Sequence, residues 1–251
     1  MAFPLSDYMD MLGALRGRGY DAGPVKQYWG EYPEPFIFLR HDVDRLSGRA
    51  VRMAQAESEA GFLSTYYFRC RPRGVFPEKA VCEIAVMGHE IGYHYDVMTQ
   101  AKGNTEHARI LFREELARLR ELAEVATVAA HGSPLSRFSN MRFSEGLDLE
   151  SLGLLGEPQV HMDFSRVFYV TDTGGIFGSP HNRRDWSNGK NLRNPTSPND
   201  LPGVLQPRTE PLVLITTHPE RWPEGNAAVA LHSIFDWLVN GLKTWLGAGA
   251  T

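Results

Sequence analysis

The chain has 251 residues, 42% hydrophobic and 22% charged, with a formal charge of -4. This balance suits one soluble globular domain with a sizeable core and excludes disordered or fibrous classes. A slightly acidic chain offers no basic field for nucleic acid, and no window approaches the roughly 20 apolar residues of a membrane span, so neither is an expected partner.

In chain order, residues 1–34 open with a helical spacing, Tyr8, Leu12 and Leu15, interrupted by Asp7 and Asp10. Those acids and the lack of a basic leader do not make a secretory signal, and Cys70 and Cys82 have no CxxC partner. A cytoplasmic protein with reduced thiols is the expectation. Strand-like stretches follow at 35–40, 63–68, 90–95, 125–130, 167–171 and 212–216, alternating with helical ones at 47–60, 78–88 and 105–123. The last of these helices sets Ala108, Leu111, Phe112, Leu116, Leu119 and Ala123 on one face, with Glu114 four residues before Arg118 on another. Strand followed by helix is the unit, which predicts an α/β fold on parallel strands.

Residues 178–203 break this rhythm. They are dense in Asn, Arg, Pro, Ser and Gly, and a structureless stretch that long points to function, with Arg183 and Trp186 as polar and stacking groups for a ligand. The chain closes at 226–246, where Leu231, Ile234, Phe235, Leu238, Leu242 and Trp245 form the stripe of a core-facing helix.

The chemistry gathers where strands end. The first strand runs into Arg40-His41-Asp42-Val43-Asp44, and a period of two points both aspartates the same way. His94 and Asp96 lie at the end of the third strand, His131 follows the fourth, Asp172 the fifth and His218 the last. Parallel β/α architectures carry their active sites on that edge. Each residue alone has a plain structural explanation, since acids also cap helices and form turns. Five strands delivering ionisable groups to one edge instead predict a metal or acid/base site. One carboxylate with imidazoles suits zinc or a similar divalent ion. Arg40 shares the face of the aspartates, where it would bind substrate or hold a carboxylate ionised. Trp186 and Trp222 are candidates to stack on a flat ligand face.

The ordered motifs Arg40 to Asp44, Gly88-His89-Glu90-Ile91-Gly92-Tyr93-His94, His131-Gly132-Ser133-Pro134 and Thr216-Thr217-His218-Pro219 span much of 36–222. In these the chain resembles the polysaccharide deacetylase superfamily, NodB-like proteins of carbohydrate esterase family four. The resemblance implies a distorted, incomplete (β/α) barrel of about seven parallel strands over a single domain. It also implies metal-dependent removal of an acetyl group from an N- or O-acetylated sugar. Carried over by position, Asp42 is the general base, Asp44 and His94 are metal ligands, and His218 is the catalytic acid. An oxyanion would rest on the metal and a backbone amide near Ser133 or Leu135.

Two positions depart from that pattern. The second metal histidine of typical members falls here on Met98, and the third motif lacks the arginine that orients the base. His131 is expected to complete the set with Asp44 and His94. Asp172 would orient the acid or contact substrate, its plain alternative being a turn aspartate before Gly174-Gly175. The expected partner is a small molecule or oligosaccharide, such as a cytoplasmic precursor in surface-polysaccharide synthesis. Two alternatives stand beside this reading: hydrolysis of a non-sugar amide, and a non-catalytic carbohydrate-binding module.

Overall fold

The computed structural model describes residues 3–70, 75–133, 136–141, 143–173 and 197–225. The expected loop up to residue 196, with Arg183 and Trp186, and the expected helix at 226–246 lie outside the described residues. The chain enters through helix α1 (Leu5–Gly17), which buries Tyr8, Met11, Leu12 and Leu15. Strand β1 (Asp21–Pro24) and a 3-10 turn (Val25–Trp29) follow. Strands β2 (Phe36–Val43), β3 (Thr65–Phe68), β4 (Glu90–Tyr95), β5 (Val125–Ala130), β6 (Val167–Thr171) and β7 (Leu212–Thr217) then build the sheet. Between them lie α2 (Ser47–Glu59), α3 (Glu78–Val86), α4 (Val97–Gln100), α5 (Thr105–Arg120), α6 (Pro158–His161) and α7 (Leu201–Val204).

The sheet has seven strands in the order β5-β4-β3-β2-β7-β6, with β1 also on β2, and every pairing is parallel. β2 is the axis. β7 pairs along one edge of it over Phe36 to His41, while β1 covers the first half of the other edge and β3 the second half. Among the described residues β5 and β6 do not pair with each other; only a short bridge from Thr127 to Gly156 extends the β5 edge. This is the distorted, open form of a (β/α) barrel. Among the described residues no helix is long and apolar enough to cross a membrane.

The expected N-terminal helical segment thus contains a strand. Asp21-Ala22-Gly23-Pro24 reads as a turn, because Gly and Pro disfavour strand interiors, yet a short edge strand ending in Pro is one of the places that tolerates it. β2 also runs three residues past the expected 35–40, so Asp42 sits inside the strand.

Alternation along β2 sorts its side chains between two cores. Phe36 and Phe38 join the inner cluster with Tyr67, Tyr169, Leu212 and Leu214, while Ile37 and Leu39 join the outer one beneath the helices. Each fully buried ring contributes about 1.5–3 kcal/mol. The inner face therefore has an apolar floor, and the same phase carried upward delivers Arg40, Asp42 and Asp44 above it. Gly92 serves this floor: a Cβ there would lie 2.3 Å from Cδ1 of Tyr67, so only glycine lets that ring pass under the end of β4. Tyr93 and Tyr95 fall in the outer cluster, facing away from His94 as alternation requires.

His41 takes the opposite phase and enters a buried polar network. Its Nε2 lies 2.9 Å from Glu57 Oε1 and its Nδ1 2.7 Å from Thr217 Oγ1. Glu57, fully buried on α2, also accepts from Tyr8, Ser64 and Tyr66 hydroxyls at 2.5, 2.6 and 2.7 Å. Burial opposes its ionisation, but His41, with His89 and the Ser64 hydroxyl, outweighs that and lowers its pKa to about 2. Its contribution to stability is present in full above the ordinary pKa of 4.5 and is lost as the pH falls from there through about 2. Glu57→Ala strands several buried donors, so denaturant titration is expected to show a loss of about 3–5 kcal/mol at neutral pH.

Candidate active site

Asp42 is held by Arg40, two residues before it on β2. Nε and Nη2 of the arginine donate to Oδ1 and Oδ2, each at 2.8 Å, and Nη1 donates to Gln159 Oε1 on α6. The guanidinium also lies 5.2 Å from the Tyr67 ring centroid. Burial opposes the charge on Asp42, yet Arg40, with help from His94, keeps its carboxyl below the usual range. Arg40 is only 2% exposed. Of the two roles anticipated for it, its burial and its paired bonds to Asp42 suit holding the carboxylate ionised.

Beside this pair, ligand atoms of Asp44, His94 and His131 all lie within 4.8 Å of one another. His94 Nε2 is 3.6 Å from both Asp42 Oδ2 and Asp44 Oδ1. Its Nδ1 faces the Ala129 carbonyl at 3.0 Å, and since a carbonyl only accepts, that nitrogen carries the proton and Nε2 keeps its lone pair for the site. Burial dominates here and lowers the His94 pKa to about 4, so the ring is neutral. His131 Nε2 is 3.3 Å from Asp44 Oδ1. Its Nδ1 lies 2.7 Å from Ser133 Oγ, which donates to Asp96 Oδ1 at 2.5 Å, and Asn140 Nδ2 also donates to that oxygen at 2.8 Å. The His131 ring is thus steered from behind, with Nε2 aimed at Asp44.

These residues fit a divalent ion. Asp44 Oδ1 is buried and makes no hydrogen bond among the described residues, although two imidazoles stand near it. One carboxylate oxygen and two imidazole nitrogens are a zinc-type donor set with an open side. Met98, where the second histidine of the resembled pattern would fall, packs at the margin of the outer cluster instead.

Opposite the cluster, His218 continues the inward phase of β7. Its Nδ1 is 2.6 Å from Asp172 Oδ1, and its backbone N–H donates to Asp172 Oδ2 at 3.0 Å. Burial works to lower this imidazole, but the facing Asp172 carboxylate outweighs it and raises the pKa to about 9. Trp222 Nε1 donates to the same Oδ2 at 2.8 Å. Two expectations change accordingly. Asp172 is 1% exposed with both oxygens taken, which suits orienting the histidine, the first of its two expected roles, and not contact with a substrate. Trp222 is 2% exposed and packs against Phe3 and Tyr8, so it presents no face to a sugar; its indole closes the far side of Asp172.

Asp96, expected at this edge, belongs to the same neighbourhood, as do Arg69, Gln159 and Glu220, which were not among the expected site residues. Arg69 Nη2 donates to Asp96 Oδ2 at 2.7 Å, and Glu220 is a buried carboxylate that burial, with Asp44 nearby, pushes up to about 7. The available signal for Arg69 was its phase: it follows β3 and lies two residues beyond inward-facing Tyr67. Gln159 carries no such signal, because it comes from a four-residue helix with no periodicity.

No protein-family model matches this sequence, and no curated protein matches it. Among solved structures, the chain is similar to the crystal structure of the Xyl-CE4 domain of a multidomain xylanase from the hindgut metagenome of Trinervitermes trinervoides. That match has 12% identity and a TM-score of 0.43 over 83% of each chain, a distance at which it carries no argument about activity or site residues.

Proposed function

We propose that the protein is a metal-dependent hydrolase that removes an acetyl group from an N-acetylated sugar, with O-acetylated sugars as the ester counterpart. The observation that supports it most is a buried Asp42 carboxylate clasped by Arg40 and a buried His218 imidazole paired with Asp172, together with the Asp44, His94 and His131 ligand set. An ion held by those three residues would supply Lewis acidity at the acyl carbonyl and lower the pKa of water.

The remaining work falls to side chains. Asp42, fixed by the Arg40 fork, accepts the proton of the attacking water. His218, charged below about pH 9 and pinned by Asp172, gives a proton to the departing nitrogen, which leaves as a free amine only once protonated. Water adds to the carbonyl, the C–N bond breaks, and acetate and an amino sugar result. The site supports the hydrolytic chemistry of this reading, and the resemblance of the ordered motifs supports the acetyl sugar.

Three measurements test this. Zinc-loaded wild-type protein is expected to release acetate from a panel of N-acetyl sugars, while Asp42→Asn keeps its zinc and loses about 100-fold or more in kcat; an unimpaired rate moves the base elsewhere. Metal analysis should find zinc lost from Asp44→Ala, His94→Ala and His131→Ala and retained in Met98→Leu. The pH profile should show kcat/KM falling above about pH 9 as His218 deprotonates. In Asp172→Asn the raising charge is gone while burial still lowers the imidazole, so this alkaline limb moves to lower pH.

A further inference from the structure

The proposed reaction develops negative charge on the acyl oxygen, and a side chain outside the motifs stands where that charge forms. β-Pairing sets Val43 level with Phe68 and Phe68 level with Tyr93, so one residue further on Asp44, Arg69 and His94 share a level on three adjacent strands. Arg69 Nη1 lies 4.0 Å from Asp44 Oδ1, beyond hydrogen-bond reach, while Nη2 is anchored on Asp96 at 2.7 Å. Its side chain is 28% exposed, and its buried Nε makes no hydrogen bond among the described residues. The backbone candidate for an oxyanion donor, the Ser133 N–H, lies 3.2 Å from His131 Nδ1, the ring nitrogen turned away from Asp44. Leu135 lies outside the described residues.

Resting on the hydrolase reading, the geometry points to Arg69 as a further catalytic residue, the donor that meets the acyl oxygen as it becomes charged. A guanidinium suits this position because its planar fork matches the carboxylate of the acetate product as well as the single oxyanion that precedes it. Asp96 fixes the fork in advance, so no reorganisation accompanies the reaction. A cation beside Asp44 also opposes a divalent ion there, an electrostatic signature that separates this role from simple support of the site.

The test uses Arg69→Met and Arg69→Lys in the full chain. Arg69→Met is expected to lose about 100-fold in kcat with KM changed less than about threefold, and Arg69→Lys to recover at least part of that loss. Zinc affinity, read by competition with a chelating dye, should stay equal or tighten in Arg69→Met. A looser zinc site would instead show that Arg69 only props Asp96, Ser133 and His131, and would overturn the assignment. So would a rise in KM with kcat intact, the mark of a contact to a remote anionic substituent, or an unchanged kcat. Binding of acetate to the zinc-loaded protein, followed by NMR of its methyl group, gives a readout that needs no turnover and should weaken about tenfold or more in Arg69→Met. A wild-type protein that cleaves no acetamide yet binds acetate through Arg69 would sink the deacetylase reading while the anion position stands. Turnover and acetate binding both indifferent to Arg69→Met would do the reverse.

Discussion

Two carboxylates projected in phase from one strand end set the problem that the rest of this structure answers. Asp42 and Asp44 share a face of β2, and His94 Nε2 stands 3.6 Å from an oxygen of each. Like charges so placed do not both stay ionised without cations among them. The two are compensated differently. Asp42 has a permanent partner in Arg40, bound through both oxygens and buried with it. Asp44 has only neighbours that an ion could replace or stand beside: a neutral His94, His131 and the more distant Arg69. One carboxylate is thereby held by a fixed cation and the other left open, as the proposed base and the proposed ligand require.

The helix side of β2 explains why this arrangement holds still. A slip of one residue would exchange the faces of the strand, sending His41 inward and Arg40 and Asp42 under the helices. His41 forbids that, because Glu57, Tyr8 and Thr217 all engage it from the outer layer. Glu57 in turn gathers hydroxyls from α1 and β3 and from Ser64, so the network fixes β2 against α1, α2, β3 and β7 together. Polar groups this deeply buried are tolerated only when satisfied, and here each visible donor has its acceptor. The stability of the outer face and the precision of the inner one are two readings of the same alternation.

Much of this was legible in the sequence. Three strand segments, 90–95, 125–130 and 167–171, coincide with β4, β5 and β6, because apolar runs between breakers need no tertiary information. The phase argument for Asp42 with Asp44 and for His94 against its tyrosines needed only a period of two. What escaped depends on register or on contacts between distant segments. Arg69 becomes visible as a site residue only once β3 is known to lie between β2 and β4. Trp222 was misjudged because proximity to the His218 motif says nothing about which side of Asp172 the indole approaches. β1 hid behind Gly23-Pro24, whose local preference for a turn is overridden by the unpaired lower edge of β2.

The two departures from the resembled pattern fit together under the proposed hydrolase reading. In that pattern the third motif supplies an arginine for the base and the second motif supplies two histidines. Here Asp42, the proposed base, is paired with an arginine of its own strand, two residues away, where the backbone alone fixes the spacing and no loop has to be ordered. The segment after β5 is then released from serving Asp42, and it presents His131 to Asp44 with Ser133, Asp96 and Asn140 behind it. Met98, relieved of a ligand role, packs as a hydrophobic residue should. With Arg40 on β2 beside Asp42, the histidine in the third motif and the methionine in the second are compatible with the one proposed site.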